Sequence, residues 1–321
     1  MALLDVRGLT VEYHTPAGDL RAVEDLSFSL EERETLGIVG ESGCGKSTAM
    51  LALMRILPEE GRVVAGEIAL EGADLLQLSP ADMRTRRWRG ISMVFQGAMN
   101  ALNPVRTIES QIAEALRLHE TVAGSEVKAE VGRLLDLVGI APSRGPQYPH
   151  QYSGGMRQRA MIAMALACRP LVVIADEPTT ALDVMIQAQI LDLLQQLQQD
   201  MGLSIILVTH DLGVVAELSD RVLVMYGGRL AEYGDVDTVY NQALHPYTQR
   251  LLGAFPDIEN PRAPLVSIPG CPPPLDALPP GCRFEPRCHL SLKACSREVP
   301  PLCELAAGHI VSCHMVKAHD R

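Results

Sequence analysis

Residues Gly40-Glu41-Ser42-Gly43-Cys44-Gly45-Lys46-Ser47 fit the pattern G-x-x-x-x-G-K-[ST]. A short apolar run of buried-strand type, Thr35–Val39, enters this loop, and an apolar-striped helical pattern, Lys46–Leu57, leaves it. Glycines let successive backbone N–H groups converge on phosphate oxygens, and the helix N-terminus adds positive potential. The pattern therefore predicts a strand–loop–helix unit in which Lys46 reaches the β- and γ-phosphates and the Ser47 hydroxyl ligates Mg²⁺.

The rest of the first 255 or so residues supports an α/β frame for that unit. Ile91–Phe95, Leu171–Ala175, Ser204–Val208 and Arg221–Met225 are further short apolar runs, separated by helical patterns such as Gly155–Cys168 and Val184–Gln199. Strand alternating with helix implies a parallel sheet. The opening segments, Leu3–Arg7, Thr10–His14 and Ala22–Leu30, read as antiparallel strands at an edge, and residues 97–151 as an inserted helical subdomain. Eight of the twenty residues 261–280 are proline, which excludes regular helix or central strand and marks an extended linker from about residue 256.

The 28 basic and 39 acidic residues leave a net charge of −11, a poor basis for general nucleic-acid binding. The run Arg84, Arg86, Arg87, Trp88 and Arg89 is read as a solvated face, and Met156, Met161 and Met164 as core filling. No apolar run approaches the roughly 18 residues of a membrane span. The opening MALLDVRGLTVEYH lacks the features of a secretion signal, so a cytosolic protein that touches a membrane only through a partner is expected. Six of eight cysteines fall between Cys271 and Cys313, which in a reducing compartment reads first as a set of metal ligands.

Two further motifs extend the nucleotide reading. The run Leu171–Ala175 ends in Asp176-Glu177, where Asp176 can reach Mg²⁺ and Glu177 can take a proton from an attacking water. Ser153-Gly154-Gly155-Met156-Arg157-Gln158 precedes a helix and offers a second set of amides for an anion. One nucleotide seldom needs two cradles from one chain, so this loop is expected to complete a site on another subunit.

The series is completed by Gln96 after Ile91–Phe95, by Thr180-Ala181-Leu182-Asp183 and by His210. In that order the motifs resemble the ATP-binding subunits of ATP-binding-cassette (ABC) transporters, over residues 3 to about 255. The resemblance implies a P-loop NTPase fold of ABC type and a head-to-tail dimer clasping two ATP molecules. Gly40, Ser42, Gly43, Cys44, Gly45, Lys46, Ser47, Thr48 and Gly154 would bind nucleotide, and Lys46, Ser47 and Asp176 of one subunit would face Ser153 and Gly155 of the other. Ser47, Gln96 and Asp176 would hold Mg²⁺, Glu177 would be the base, His210 would contact the γ-phosphate, and Asp183 would link the two sites. Tyr13 resembles the family's adenine-stacking aromatic. Tyr152 stands where the familiar spelling has Leu, a position expected to concern packing.

The tail phrases His245-Pro246-Tyr247-Thr248 and Gly281-Cys282-Arg283-Phe284-Glu285-Pro286-Arg287-Cys288 resemble the C-terminal extension of oligopeptide and dipeptide importer ATPases, shared by some nickel importers. In that family Cys282, Cys288, Cys295 and Cys313 would hold a [4Fe–4S] cluster, with Cys271 and Cys303 surplus. The spacings of five, six, seven and nine intervening residues along Cys282, Cys288, Cys295, Cys303 and Cys313 are not those of a ferredoxin, and a zinc site or unligated thiols remain open. The expected protein is an ATP-hydrolysing subunit of a peptide importer at the cytoplasmic face of the membrane. Its partners would be a second ATPase (a sister or itself), two permease subunits and an extracytoplasmic binding protein. A nickel importer, a soluble DNA-repair cassette ATPase and a nucleotide-binding protein without turnover are the rivals.

Overall fold

Alternating burial along Leu4–Thr15 (β1) and Gly18–Leu30 (β2) pairs these segments antiparallel, from Leu4 opposite Leu30 to Thr15 opposite Gly18. The opposite edge of β1 pairs with Gly61–Leu70 (β4), which is followed by the short Ala73–Asp74 (β5). The expected opening antiparallel strands thus belong to a four-stranded sheet ordered β2-β1-β4-β5. The computed structural model describes residues 2–16, 18–97, 101–119, 122–254, 267–306 and 308–319. The proposed boundary at 255–256 and the first residues of the proline-rich stretch lie outside them.

The chain divides into two units, of which the first comprises Met1–Leu30, Thr35–Asp74 and Thr209–Arg321. Besides the antiparallel sheet it contains five strands in the order β11-β12-β10-β9-β3. These are Thr35–Val39 (β3), Arg221–Tyr226 (β9), Arg229–Asp235 (β10), Cys303–Ala306 (β11) and His309–Val311 (β12). β3 is buried along its whole length and runs parallel to β9, as its uninterrupted apolar sequence requires. Gly227 and Gly228, with φ of 55° and 85°, make the two-residue hairpin that returns β9 into β10. Val39, Val224, Tyr226, Tyr247 and Phe284 share one core cluster, so the strand entering the glycine loop and the cysteine-rich tail pack into the same interior. The tail is also tied in by Glu232 on β10, fully buried, which accepts from the Leu244 and His245 N–H groups at 2.8 and 3.1 Å and lies 2.9 Å from His309 Nε2. Residues 267–284 contain neither helix nor strand.

The second unit comprises Glu31–Glu34 and Leu75–Val208. Its strands Ile91–Val94 (β6), Val172–Asp176 (β7) and Ser204–Val208 (β8) are parallel and buried throughout, with β7 in the middle. The helices Ile108–Leu118 and Val127–Leu137 follow β6, in the stretch read as a helical subdomain. They bury Ile108, Ile112 and Leu116, and Val127, Val131 and Leu134, at helical spacing. Helix Gly154–Ala165 is capped by Ser153, whose hydroxyl accepts from the Met156 N–H at 3.3 Å. Helix Val184–Met201 is capped by Asp183, which accepts from the Ile186 N–H at 3.0 Å. Trp88 donates its indole N–H to the Met164 carbonyl, so the one aromatic of the basic run is a packing residue. Among the described residues no helix is long and apolar enough to cross a membrane.

Candidate functional site

In the first unit β3 delivers the chain to Gly40, whose φ of 151° and close approach to the neighbouring backbone admit no side chain: a Cβ there would lie 2.2 Å from the Met225 carbonyl oxygen. The loop then turns into helix Lys46–Leu53, whose N-cap is Gly45 in the left-handed region, with no side chain capping the first turn. Ser42 and Gly43 are exposed on the rim, and the space beside Gly43 is open. Lys46 is only 6% exposed. Its ammonium donates to the Gly40 and Glu41 carbonyls at 2.6 and 3.2 Å and lies 3.8 Å from Cys44 Sγ. Among the described residues no carboxylate pairs with it. A buried cation with no carboxylate partner, satisfied by carbonyl dipoles and one neutral sulfur, calls for an anion, and this loop, with an uncapped helix start, fits a polyphosphate. The Cys44 thiol, raised by burial, stays neutral and packs beneath the loop.

Other predicted residues gather around the same loop. Tyr13 sets its ring against Gly61, and its hydroxyl lies 3.4 Å from the Thr48 hydroxyl one residue beyond Ser47. The Thr209 N–H donates to the Ile38 carbonyl of β3 at 3.2 Å, which brings the exposed His210 to the loop end of that strand. Helix Leu212–Leu218 is capped by Asp211, which accepts from the Gly213 and Val214 N–H groups, so His210 is not the cap.

The second unit assembles the acidic pair. Asp176, at the C-terminal end of β7, is buried. The next residue, Glu177, takes a φ of 45°, and its N–H donates to the Val208 carbonyl at 2.8 Å. The Gln96 amide and the Thr180 hydroxyl both donate to Glu177 Oε2, at 3.0 and 2.7 Å. Thr180 was not among the candidate site residues; its place three residues after Glu177, across a tight turn, is the signal that points to it. Ser153 is exposed at its helix start. Gly155 packs so closely on helix Val184–Met201 that a Cβ would lie 2.5 Å from Ile186 Cγ2, and one at Gly154 would lie 3.3 Å from Leu182 Cδ2. The Ser153–Gly155 loop and the Asp183 segment are therefore neighbours. Tyr152 is buried beneath the Arg144 guanidinium and donates to the Arg144 carbonyl at 3.0 Å, a packing role.

The iron–sulfur expectation is corrected. Among the described residues no group of three or more His, Cys, Asp or Glu side chains is placed to hold a metal ion, Cys282, Cys288, Cys295 and Cys313 included. Burial pushes the Cys282 thiol up to about 11 and raises Cys288 and Cys313 as well, with neighbouring thiols adding to the effect. Cys295 instead serves the chain path: its carbonyl accepts from the Cys282 N–H at 2.7 Å and its sulfur from the Leu292 N–H at 3.4 Å.

Residues 23–180 match the ABC transporter family, and residues 231–295 match the oligopeptide/dipeptide transporter C-terminal region. The chain is 48% identical to the oligopeptide transport ATP-binding protein OppD of Salmonella typhimurium, over 97% of this chain and 93% of that one. It is 47% identical to the dipeptide transport ATP-binding protein DppD of Bacillus subtilis, over 97% and 94%. These relatives are described by oligopeptide or dipeptide transport and ATP binding. Among solved structures, the dimeric ATP-binding cassette MJ0796 in a post-hydrolysis state with ADP and Pi superposes with a TM-score of 0.66 at 26% identity, covering 73% of this chain and 98% of that one. The chain therefore belongs to the ABC transporter family and carries the oligopeptide/dipeptide transporter C-terminal region.

Proposed function

We propose that this protein is the ATP-hydrolysing, energising subunit of an importer of di- or oligopeptides. The observation that carries the reading is the buried Lys46 ammonium, held in the glycine loop by the Gly40 and Glu41 carbonyls and the Cys44 sulfur, with no carboxylate paired to it among the described residues. The names of its relatives supply the transport half of the reading.

Lys46 and the loop amides hold the phosphates, with Tyr13 beside the adenine and His210 near the terminal phosphate. Ser47, Gln96 and Asp176 hold magnesium, which when bound screens phosphate charge. Glu177 acts as the general base, and its orientation rests on the two bonds that land on one oxygen, from Gln96 and Thr180. Ser153, Gly154 and Gly155 serve the nucleotide of a second ATPase subunit, with Asp183 between the two sites. Residues 1–255 form the ATPase part and 256–321 an extension that discriminates this branch. Two permeases and an extracytoplasmic binding protein complete the assembly, which places the chain peripherally at the cytoplasmic face.

Reconstitution of the complete membrane complex into vesicles tests this directly. MgATP on the cytoplasmic side should drive uptake of a labelled peptide delivered with its binding protein. ATP hydrolysis with no peptide uptake, or uptake indifferent to ATP, overturns the proposal.

A further inference from the structure

We propose that the tail segment 281–288 is a working part of the nucleotide site, in which Arg287 positions the phosphate loop by neutralising and fixing Glu41. The inference rests on the reading of that loop as an ATP grip. Glu41 is the first variable residue of the loop, an odd place for a carboxylate on a chain that binds a polyanion. Its charge is met by a bidentate fork from Arg287: Nη1 to Oε2 at 2.5 Å and Nη2 to Oε1 at 3.0 Å. Arg287 has a side chain only 5% exposed and is itself fixed, donating to the Pro269 carbonyl at 2.7 Å, the Gly270 carbonyl at 3.3 Å and the Tyr226 hydroxyl at 3.2 Å.

Glu41 is held at two further points. Its N–H donates to the Tyr247 hydroxyl at 3.0 Å, and its carbonyl accepts from the Lys46 ammonium at 3.2 Å. Tyr226, Tyr247 and Phe284 form one aromatic cluster with ring centroids 4.6 to 5.3 Å apart, which anchors Arg287, the Glu41 amide and the tail on a common base. Movement of Glu41 therefore moves the carbonyl that steadies Lys46. Removing Arg287 leaves a quarter-exposed carboxylate without its counterion beside the bound phosphates. A plain staple that only keeps the tail folded would make no use of the position of Glu41 inside the loop.

The test is titration of the full-length protein with magnesium and a non-hydrolysable ATP analogue, alongside thermal melting. Arg287→Ala should weaken the analogue roughly tenfold, as loss of a charge-assisted contact implies. Adding Glu41→Gln to Arg287→Ala should bring the affinity back to within about threefold of the wild type, because the stranded charge is gone. If Arg287→Ala does not fold, Arg287→Met, which keeps the stem against Tyr226, enters the same comparison with and without Glu41→Gln. Unchanged affinity in the single variant, or a double variant no better than the single, overturns the positioning role while leaving the nucleotide reading intact. A wild-type protein that binds no analogue removes both.

Discussion

Two side chains carry the proposed chemistry in distinct ways, and substitution separates them. Lys46 is a buried cation whose partners are carbonyl dipoles and one neutral sulfur, so its contribution falls on phosphate binding. Lys46→Ala should weaken MgATP by about 10- to 100-fold, the range for loss of a hydrogen bond to a charged group, as read by equilibrium titration. Glu177 is instead built to accept, with Oε2 held by Gln96 and Thr180. Glu177→Gln keeps the shape and most of the hydrogen bonding but cannot take a proton. It should bind MgATP as the wild type does and release phosphate at least about 100-fold more slowly. Undiminished release would move the base elsewhere. Lys46, Ser47, Asp176, Glu177 and His210 could be proposed from the sequence because each follows a strand or loop of fixed pattern, whereas Tyr13, inside β1, was proposed on resemblance alone. Thr180 lay inside a quoted motif but was not singled out as a site residue, and Arg287, an arginine in an irregular tail, carries no pattern that points to a nucleotide.

Element by element, the long apolar runs are the readable part. β3, β7 and β8 are buried on both faces, so their sequences are uninterrupted and their bounds fall close to expectation. β4 and β10 were not read as strands: exposed residues and glycines interrupt the first, and Glu232 and Tyr233 disguise the second. The contact of Gly155 with Ile186 shows what two helices can demand of one residue. Gly155→Ala should destabilise the protein by about 1–3 kcal/mol in denaturant melts, the usual range for overpacking. Ile186→Ala, which removes the obstructing Cγ2, should recover most of that loss when combined with it. If the pair is simply additive, the two helices are not in steric register there.

For the molecule as a whole, the fate of the tail is tied to pH through His245. This ring is buried, accepts from the Tyr247 N–H through Nδ1 at 3.0 Å, and has its pKa lowered by burial from 6.5 to about 4, against a smaller opposing effect of the Ser312 backbone. The native state therefore refuses a proton that the unfolded chain accepts. The contribution of His245 to stability should be highest above about pH 6.5, fall as pH drops toward 4 and level off below that, a loss of about 3 kcal/mol in all. His245→Asn, which retains an acceptor for Tyr247, should flatten that decline in equilibrium unfolding curves, and an unaltered decline would assign it to other groups. The sequence by itself determined the strand–loop–helix unit, the order of the nucleotide motifs and the family, because phosphate binding depends on local backbone geometry that glycine spacing encodes. Only the tertiary structure decided what the tail packs against. Among the described residues its cysteines form no metal-ligand group, while Arg287 reaches Glu41 across 246 positions of chain, a pairing supported by hydrophobic packing around Phe284 that no local pattern can announce.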